Sequence, residues 1–162
     1  MEQSKSVEQQ LVELLTKRNL VITTAESCTG GLLAASVINV PGASSVIKEG
    51  YITYSNESKI RILGVNEQTI KEHTVVSEEV AKEMAKGGAK AAGCDICISV
   101  TGVAGPDIEE GNPVGLVYIG CSYGELVDVK ELHLEGSRQE IRNQAVTHAL
   151  GWILYKLTEI WI

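Results

Sequence analysis

Val21-Ile22-Thr23-Thr24-Ala25-Glu26-Ser27-Cys28-Thr29-Gly30-Gly31-Leu32 opens on β-branched residues and closes on paired glycines at the head of a small-residue run. The β-branched part predicts a strand over about 20–24, and Leu32 to Ile38 predicts a helix, so the residues between them form a strand-to-helix turn. Such a turn exposes hydroxyls, a thiol and unpaired N–H groups at the positive end of a helix dipole. That suits an anion or a developing oxyanion. A Gly-rich turn capped by Ser or Thr explains the same residues without any chemistry, and the two readings have to be separated by the rest of the chain.

Outward from this turn, helices and strands alternate. Val7, Leu11, Leu14 and Leu15 recur at helical spacing over 6–18, and Asn19 closes that helix. Downstream, Asn39-Val40-Pro41-Gly42 breaks the chain before a strand over 50–55. Asn56 is placed to cap a short helix through Leu63, with Gly64 as its stop. Residues 66–73 supply another helical turn or two. Ser77 caps a longer helix over about 78–92, ended by Gly93. A third strand, 96–101, is expected to be apolar on both faces and buried. A long Gly- and Pro-containing loop runs from Thr101 to Pro113. Two strands, 114–122 and 126–134, then form a hairpin. Ser137-Arg138-Gln139-Glu140 is a capping box opening a last helix that carries Ile141, Ala145, Ala149, Trp152, Ile153 and Leu157 on one face. The pattern predicts a single domain over 1–162, a three-layer α/β/α sandwich with a mixed, mostly parallel five-stranded sheet.

Bulk composition narrows the function. Hydrophobic residues make up 44% and charged residues 22%, and the net charge is −7. An acidic chain disfavours nucleic acid or an anionic membrane surface as the main partner. No apolar run approaches membrane-span length, and residues 1–19 are too charged for a signal peptide. A cytoplasmic location, with Cys28, Cys94, Cys97 and Cys121 reduced, is the expectation. Cys94-Asp95-Ile96-Cys97 stands alone, with no second pair and no nearby His. His73, His133 and His148 are scattered without ligand spacing, so no metal or cofactor is implied.

A second polar cluster, Tyr54-Ser55-Asn56-Glu57-Ser58-Lys59, contains a lysine of interest. Burial would lower its pKa and free a neutral amine to act as a base, and an amine beside a serine hydroxyl is one way of activating a nucleophile. A solvated lysine in a capped turn explains the segment equally well. Tyr54 and Lys59 are five apart across a predicted strand–helix boundary, so they do not share a helical face as a Tyr-x-x-x-Lys pair does. Position 56 is Asn, which excludes Ser-x-x-Lys, and the turn at 24–31 lacks the Gly-Lys-Ser/Thr of a phosphate-binding loop. A nucleophile for Lys59 has to come from elsewhere in the chain.

Ala25-Glu26-Ser27-Cys28-Thr29-Gly30-Gly31, Tyr54-Ser55-Asn56 with Lys59, Leu63-Gly64-Val65, Val76-Ser77-Glu78, Val100 through Pro106, and Pro113-Val114-Gly115 occur in this order. Together they resemble the CinA C-terminal domain family, the nicotinamide-nucleotide amidases, in its stand-alone form. The resemblance covers about residues 6–157. It implies deamidation of nicotinamide mononucleotide, with Ser27 as nucleophile, Lys59 as general base and Tyr54 as the polar partner of the lysine. Glu26 and Cys28 through Gly31 would surround the substrate, with Thr29, Gly30 and Gly31 supporting the nucleophile. Cys28 is the rival nucleophile, but no His is placed to pair with it.

A nucleotide substrate also needs phosphate donors. Thr101, Gly102 and Gly105 in the long loop, and Ser45 after the Pro41 break, are candidates because small residues let backbone N–H groups approach. Arg138 and Arg142, four apart on the last helix, are candidates for a bidentate clamp. Asn112, Leu116 and Gly136-Ser137-Arg138 depart from the family pattern without removing a proposed catalytic residue. The competing reading is a nucleotide-binding or regulatory domain with little turnover, and hydrolysis of another small amide uses the same residues. The expected partners are a small-molecule nucleotide and a second copy of the chain, whose contact surface would be the hairpin and the last helix with Trp152 and Trp161.

Overall fold

In the computed structural model, which describes residues 3–161, the chain runs α1 (Val7–Arg18), β1 (Ile22–Glu26), α2 (Leu32–Ile38), a short 3₁₀ turn (Ala43–Ser45), β2 (Tyr51–Ile52) and α3 (Asn56–Leu63). It continues through α4 (Glu67–His73), α5 (Glu78–Ala92), β3 (Ile96–Gly102), β4 (Leu116–Tyr123), β5 (Leu126–His133) and α6 (Arg138–Tyr155), which ends in a π turn (Lys156–Ile160).

Local chemistry sets the helix ends. Ser6 and Gln9 form a capping box on α1, and Asn19 ends it at φ 60°. Ser77 caps α5, and Ser137 with Glu140 caps α6. The cap of α3 is Ser55, one residue before the expected Asn56: its Oγ accepts from the Ser58 N–H at 3.1 Å.

The five strands form one sheet in the order β2-β1-β3-β4-β5. β2 and β3 pair parallel to β1, β4 is antiparallel to β3, and β5 is antiparallel to β4. Four strands therefore share a direction and β4 alone opposes them. β1 ends at Glu26, two residues beyond the expected Thr24, because its pairing with β3 holds as far as Glu26 opposite Val100. β2 is shorter than expected, with two residues.

Each face of the sheet carries its own apolar cluster. One gathers Leu11, Leu15, Leu33, Ile141 and Ile153 of α1, α2 and α6 against Ile96, Ile98 and Val100 of β3. The other gathers Leu63, Ile70, Val80 and Met84 of α3, α4 and α5 against Ala25 and Cys97. β3 is not apolar on both faces as expected. Its second face carries Cys97, Ser99 and Thr101, buried nonetheless because Ser99 donates to the Ala81 carbonyl at 2.6 Å and Thr101 to the Val75 carbonyl at 3.0 Å. Ser122 of β4 repeats the contact on Ala85 at 3.0 Å, so α5 sits close against small and hydroxylic strand residues.

Trp152 and Trp161, expected on a contact surface, are half-buried against the chain's own core. Lys156 lies over both rings at 5.3 and 5.1 Å and pairs with Asp128. Among the described residues, no helix is long and apolar enough to cross a membrane.

Candidate active site

The site forms where β1 and β3 end side by side. The Ser27 N–H donates to the Val100 carbonyl at 2.9 Å, which extends the ladder one residue past β1. Gly30 and Gly31 then take φ of 55° and 100°, left-handed conformations that glycine adopts without steric cost, and the chain turns into α2.

Glu26 is fully buried, and its carboxylate accepts from the Leu33 and Ala34 N–H groups at 2.9 and 3.1 Å and from Thr24 Oγ1 at 3.2 Å. This corrects the expectation for Glu26: it occupies the N-terminus of α2 and does not face the cavity. The dipole end is thus satisfied by the protein itself. Gly30 N–H donates to the Ser27 carbonyl and Leu32 N–H to the Thr29 carbonyl. The N–H groups of Cys28, Thr29 and Gly31 have no acceptor among the described residues.

Lys59 arrives from the first turn of α3. It is 1% exposed, and its Nζ donates to the Thr53 carbonyl at 2.7 Å and to Ser27 Oγ at 3.0 Å. Burial lowers its pKa to about 8, against a smaller upward pull from the Glu109 carboxylate. Cys28 goes the other way: it is buried, and the loss of hydration pushes its thiol up to about 11. The serine thus has a base within hydrogen-bonding reach, while the neighbouring thiol is held protonated.

Ser27 and Cys28 open onto a cavity of about 430 Å³ lined also by Tyr54, residues 102–109 and Arg138. Gly102 and Gly105 are at this cavity. Tyr54 is 63% exposed, and its hydroxyl accepts from Arg138 Nη2 at 3.0 Å, while Arg138 Nη1 donates to the Gly105 carbonyl at 2.6 Å. The second partner of Lys59 is therefore the Thr53 carbonyl and not Tyr54.

Three other expected residues are engaged elsewhere. Arg142 Nε donates to the Cys28 carbonyl at 2.8 Å and Nη2 to the Thr29 carbonyl at 3.2 Å, so its guanidinium faces the turn's backbone. Thr101 is buried against Val75. Ser45 lies at the other end of β1: its hydroxyl bonds to Gly42, and the next residue, Val46, accepts from the Ile22 N–H that begins the strand. The Thr29 side chain is buried, and its Oγ1 has no hydrogen-bond partner.

The Thr53 carbonyl has no signature in the sequence, because any residue supplies one. Asp107 and Glu109 on the cavity wall belong to the long loop between Thr101 and Pro113, where no motif marks them out. Among the described residues, no group of three or more His, Cys, Asp and Glu comes together.

Comparison with known proteins gives this arrangement its relatives. The model of the CinA C-terminal domain matches residues 4–157. A curated relative from Clostridium botulinum (strain Loch Maree / Type A3), named for competence-damage induction, is 56% identical over 149 residues, which is 91% of this chain. The chain spans only 36% of that relative's length. A similarly named protein of Alkaliphilus oremlandii is 51% identical over 90% of the chain and 35% of its own length. Among solved structures, the competence damage-inducible protein A from Klebsiella pneumoniae superposes with a TM-score of 0.93 at 34% identity, covering 95% of this chain and 96% of that one. The competence/damage inducible protein from Agrobacterium tumefaciens gives 0.85 at 32% identity, covering 95% and 98%.

Proposed function

This chain belongs to the CinA C-terminal domain family, and from that premise we propose that Ser27 and Lys59 hydrolyse a carboxamide, with nicotinamide mononucleotide as the substrate. The observation that carries the reading is the buried Lys59 amine 3.0 Å from Ser27 Oγ. A lysine with a pKa near 8 is about one-tenth neutral at pH 7, enough to serve as a base.

In the proposed reaction the neutral amine accepts the Ser27 proton as Oγ bonds to the carboxamide carbon and the C=O π pair moves to oxygen. Unpaired N–H groups of the 28–31 turn receive that oxyanion; one such donor contributes about 3 kcal/mol. Lys59 then gives its proton to the departing nitrogen, the C–N bond breaks and ammonia leaves. Water, deprotonated by the same amine, attacks the acyl-serine, and Ser27 is regenerated with release of the carboxylate. The Thr53 carbonyl holds the amine in place throughout, since either protonation state of lysine can donate to it.

Among the described residues lining the cavity, Arg138 is the cation, and its charge supports a substrate that carries a phosphate. Asp107 and Glu109 favour an amide that also carries positive charge, as an N-substituted pyridinium ring does. Incubation with nicotinamide mononucleotide tests the reading. Stoichiometric ammonia and nicotinate mononucleotide support it, and binding without product selects the regulatory alternative.

A further inference from the structure

The loop between β3 and β4 brings two carboxylate residues, Asp107 and Glu109, to the cavity onto which Ser27 opens. Glu109 is held in place by its backbone. Its N–H donates to the Asn112 carbonyl at 3.2 Å and its carbonyl accepts from the Asn112 N–H at 2.8 Å. That closes a two-residue turn over Glu110 and Gly111, both at positive φ (48° and 78°). The turn is tied to the segment before α5: Asn112 Nδ2 donates to Thr74 Oγ1 at 2.9 Å, and Glu110 accepts from the Val75 N–H at 3.4 Å. Neither Asp107 nor Glu109 forms an ion pair among the described residues. Arg138, the cation lining the same cavity, donates to the Gly105 carbonyl and the Tyr54 hydroxyl and not to a carboxylate. Negative charge thus stands at the site without a protein partner.

The Glu109 charge is felt at the base itself, where it favours protonated Lys59 against the burial that frees the amine. A carboxylate that acts on the amine beside Ser27 also acts on the ring of an amide bound there. With the carbonyl carbon at Ser27 Oγ, the ring nitrogen of a pyridine-3-carboxamide is only three bonds away. We infer that Glu109 is a specificity-determining residue that reads the charge of the substrate's ring, selecting the pyridinium form of the mononucleotide over its uncharged dihydropyridine form. The inference rests on the nicotinamide mononucleotide reading of the site and narrows it to one oxidation state of the ring. Both forms carry the same amide, ribose and phosphate, so Ser27 and Arg138 meet the same groups in each. The difference is one positive charge, whose attraction to the carboxylate weakens with salt. Asp107 lines the cavity too, but Glu109 is the carboxylate that acts on Lys59, and the role falls to it.

The test measures binding on Ser27→Ala, which lacks the proposed nucleophile, by calorimetry at low ionic strength with nicotinamide mononucleotide and with its dihydro form. The inference expects the oxidised form to bind about fivefold tighter than the reduced one. Adding Glu109→Gln should weaken the oxidised form by about that factor and leave the reduced form within about twofold, with a smaller effect from Asp107→Asn. A preference that Glu109→Gln leaves intact, an equal loss for both forms, or a preference lost only in Asp107→Asn would overturn the inference alone. Binding of neither form would overturn it together with the substrate. If the wild-type chain binds the oxidised form and releases no ammonia, the dyad reading fails, and the binding comparison still decides the part of Glu109.

Discussion

Lys59 Nζ lies 3.0 Å from Ser27 Oγ, although the two residues are 32 apart and belong to different helix-start segments. The contact exists because β2 pairs parallel to β1, which places the residues following both strands at one end of the sheet. The Thr53 N–H on the Glu26 carbonyl at 2.8 Å closes the gap. α3 then begins almost at once, and its first turn sends the lysine inward.

Activity should follow the neutral form of Lys59. Because burial lowers its pKa to about 8, kcat/KM should rise about tenfold per unit from pH 6 toward 8 and level off above it. A profile flat from pH 6 to 9, measured by ammonia release, would mean that some other group is the base.

The same burial should reduce stability. The folded chain binds its lysine proton more weakly than the unfolded chain, so stability is lowest below the folded pKa of about 8 and recovers as pH rises toward the ordinary 10.5. The lowered pKa corresponds to about 3 kcal/mol at pH 7, and losing the bond to Thr53 costs about 1 kcal/mol. Lys59→Met should therefore be inactive yet about 2 kcal/mol more stable in urea at pH 7, with its advantage shrinking above pH 8. A less stable Met variant would show that the lysine is not desolvated as described.

Cys28 should be dispensable for chemistry. Its thiol is buried and held up to about 11, so it supplies almost no thiolate at neutral pH. Cys28→Ala should keep turnover within about fivefold, whereas a loss of about a thousandfold would move the nucleophile one residue along.

Tyr54 and Arg138 should act on binding. The tyrosine hydroxyl accepts from Arg138, while the Lys59 amine donates to Ser27 and the Thr53 carbonyl. Tyr54→Phe should change kcat by less than about threefold, and Arg138→Ala should raise KM for the nucleotide by about tenfold or more. A hundredfold fall in kcat for Tyr54→Phe would restore the tyrosine as a proton relay.

Much of the fold was legible because its signals are local. Serine caps, glycine stops and 3.6-residue periodicity placed α2, α3, α5 and the start of α6 within a residue of their observed ends. The second face of β3 was not legible, since Ser99 and Thr101 are buried only because α5 carbonyls accept their hydroxyls. In the site, Ser27 and Lys59 could be nominated by residue type, and the family resemblance paired them. Arg142 and Glu26 have partners that are not legible in the sequence, for one physical reason. Their charges are satisfied by backbone groups of the turn and of α2, and backbone partners leave no trace in the sequence. Ser45 failed on topology, since it sits at the opposite end of β1 from Ser27.

The central claim, a serine nucleophile served by a buried lysine, is tested most directly by mass spectrometry of the chain mixed with nicotinamide mononucleotide and quenched within the first turnovers. The account predicts a nicotinoyl-nucleotide ester on Ser27, absent from Ser27→Ala and strongly depleted in Lys59→Ala, with both variants folded. Ammonia release by Ser27→Ala near the wild-type rate, or an acyl group on Cys28, would contradict it.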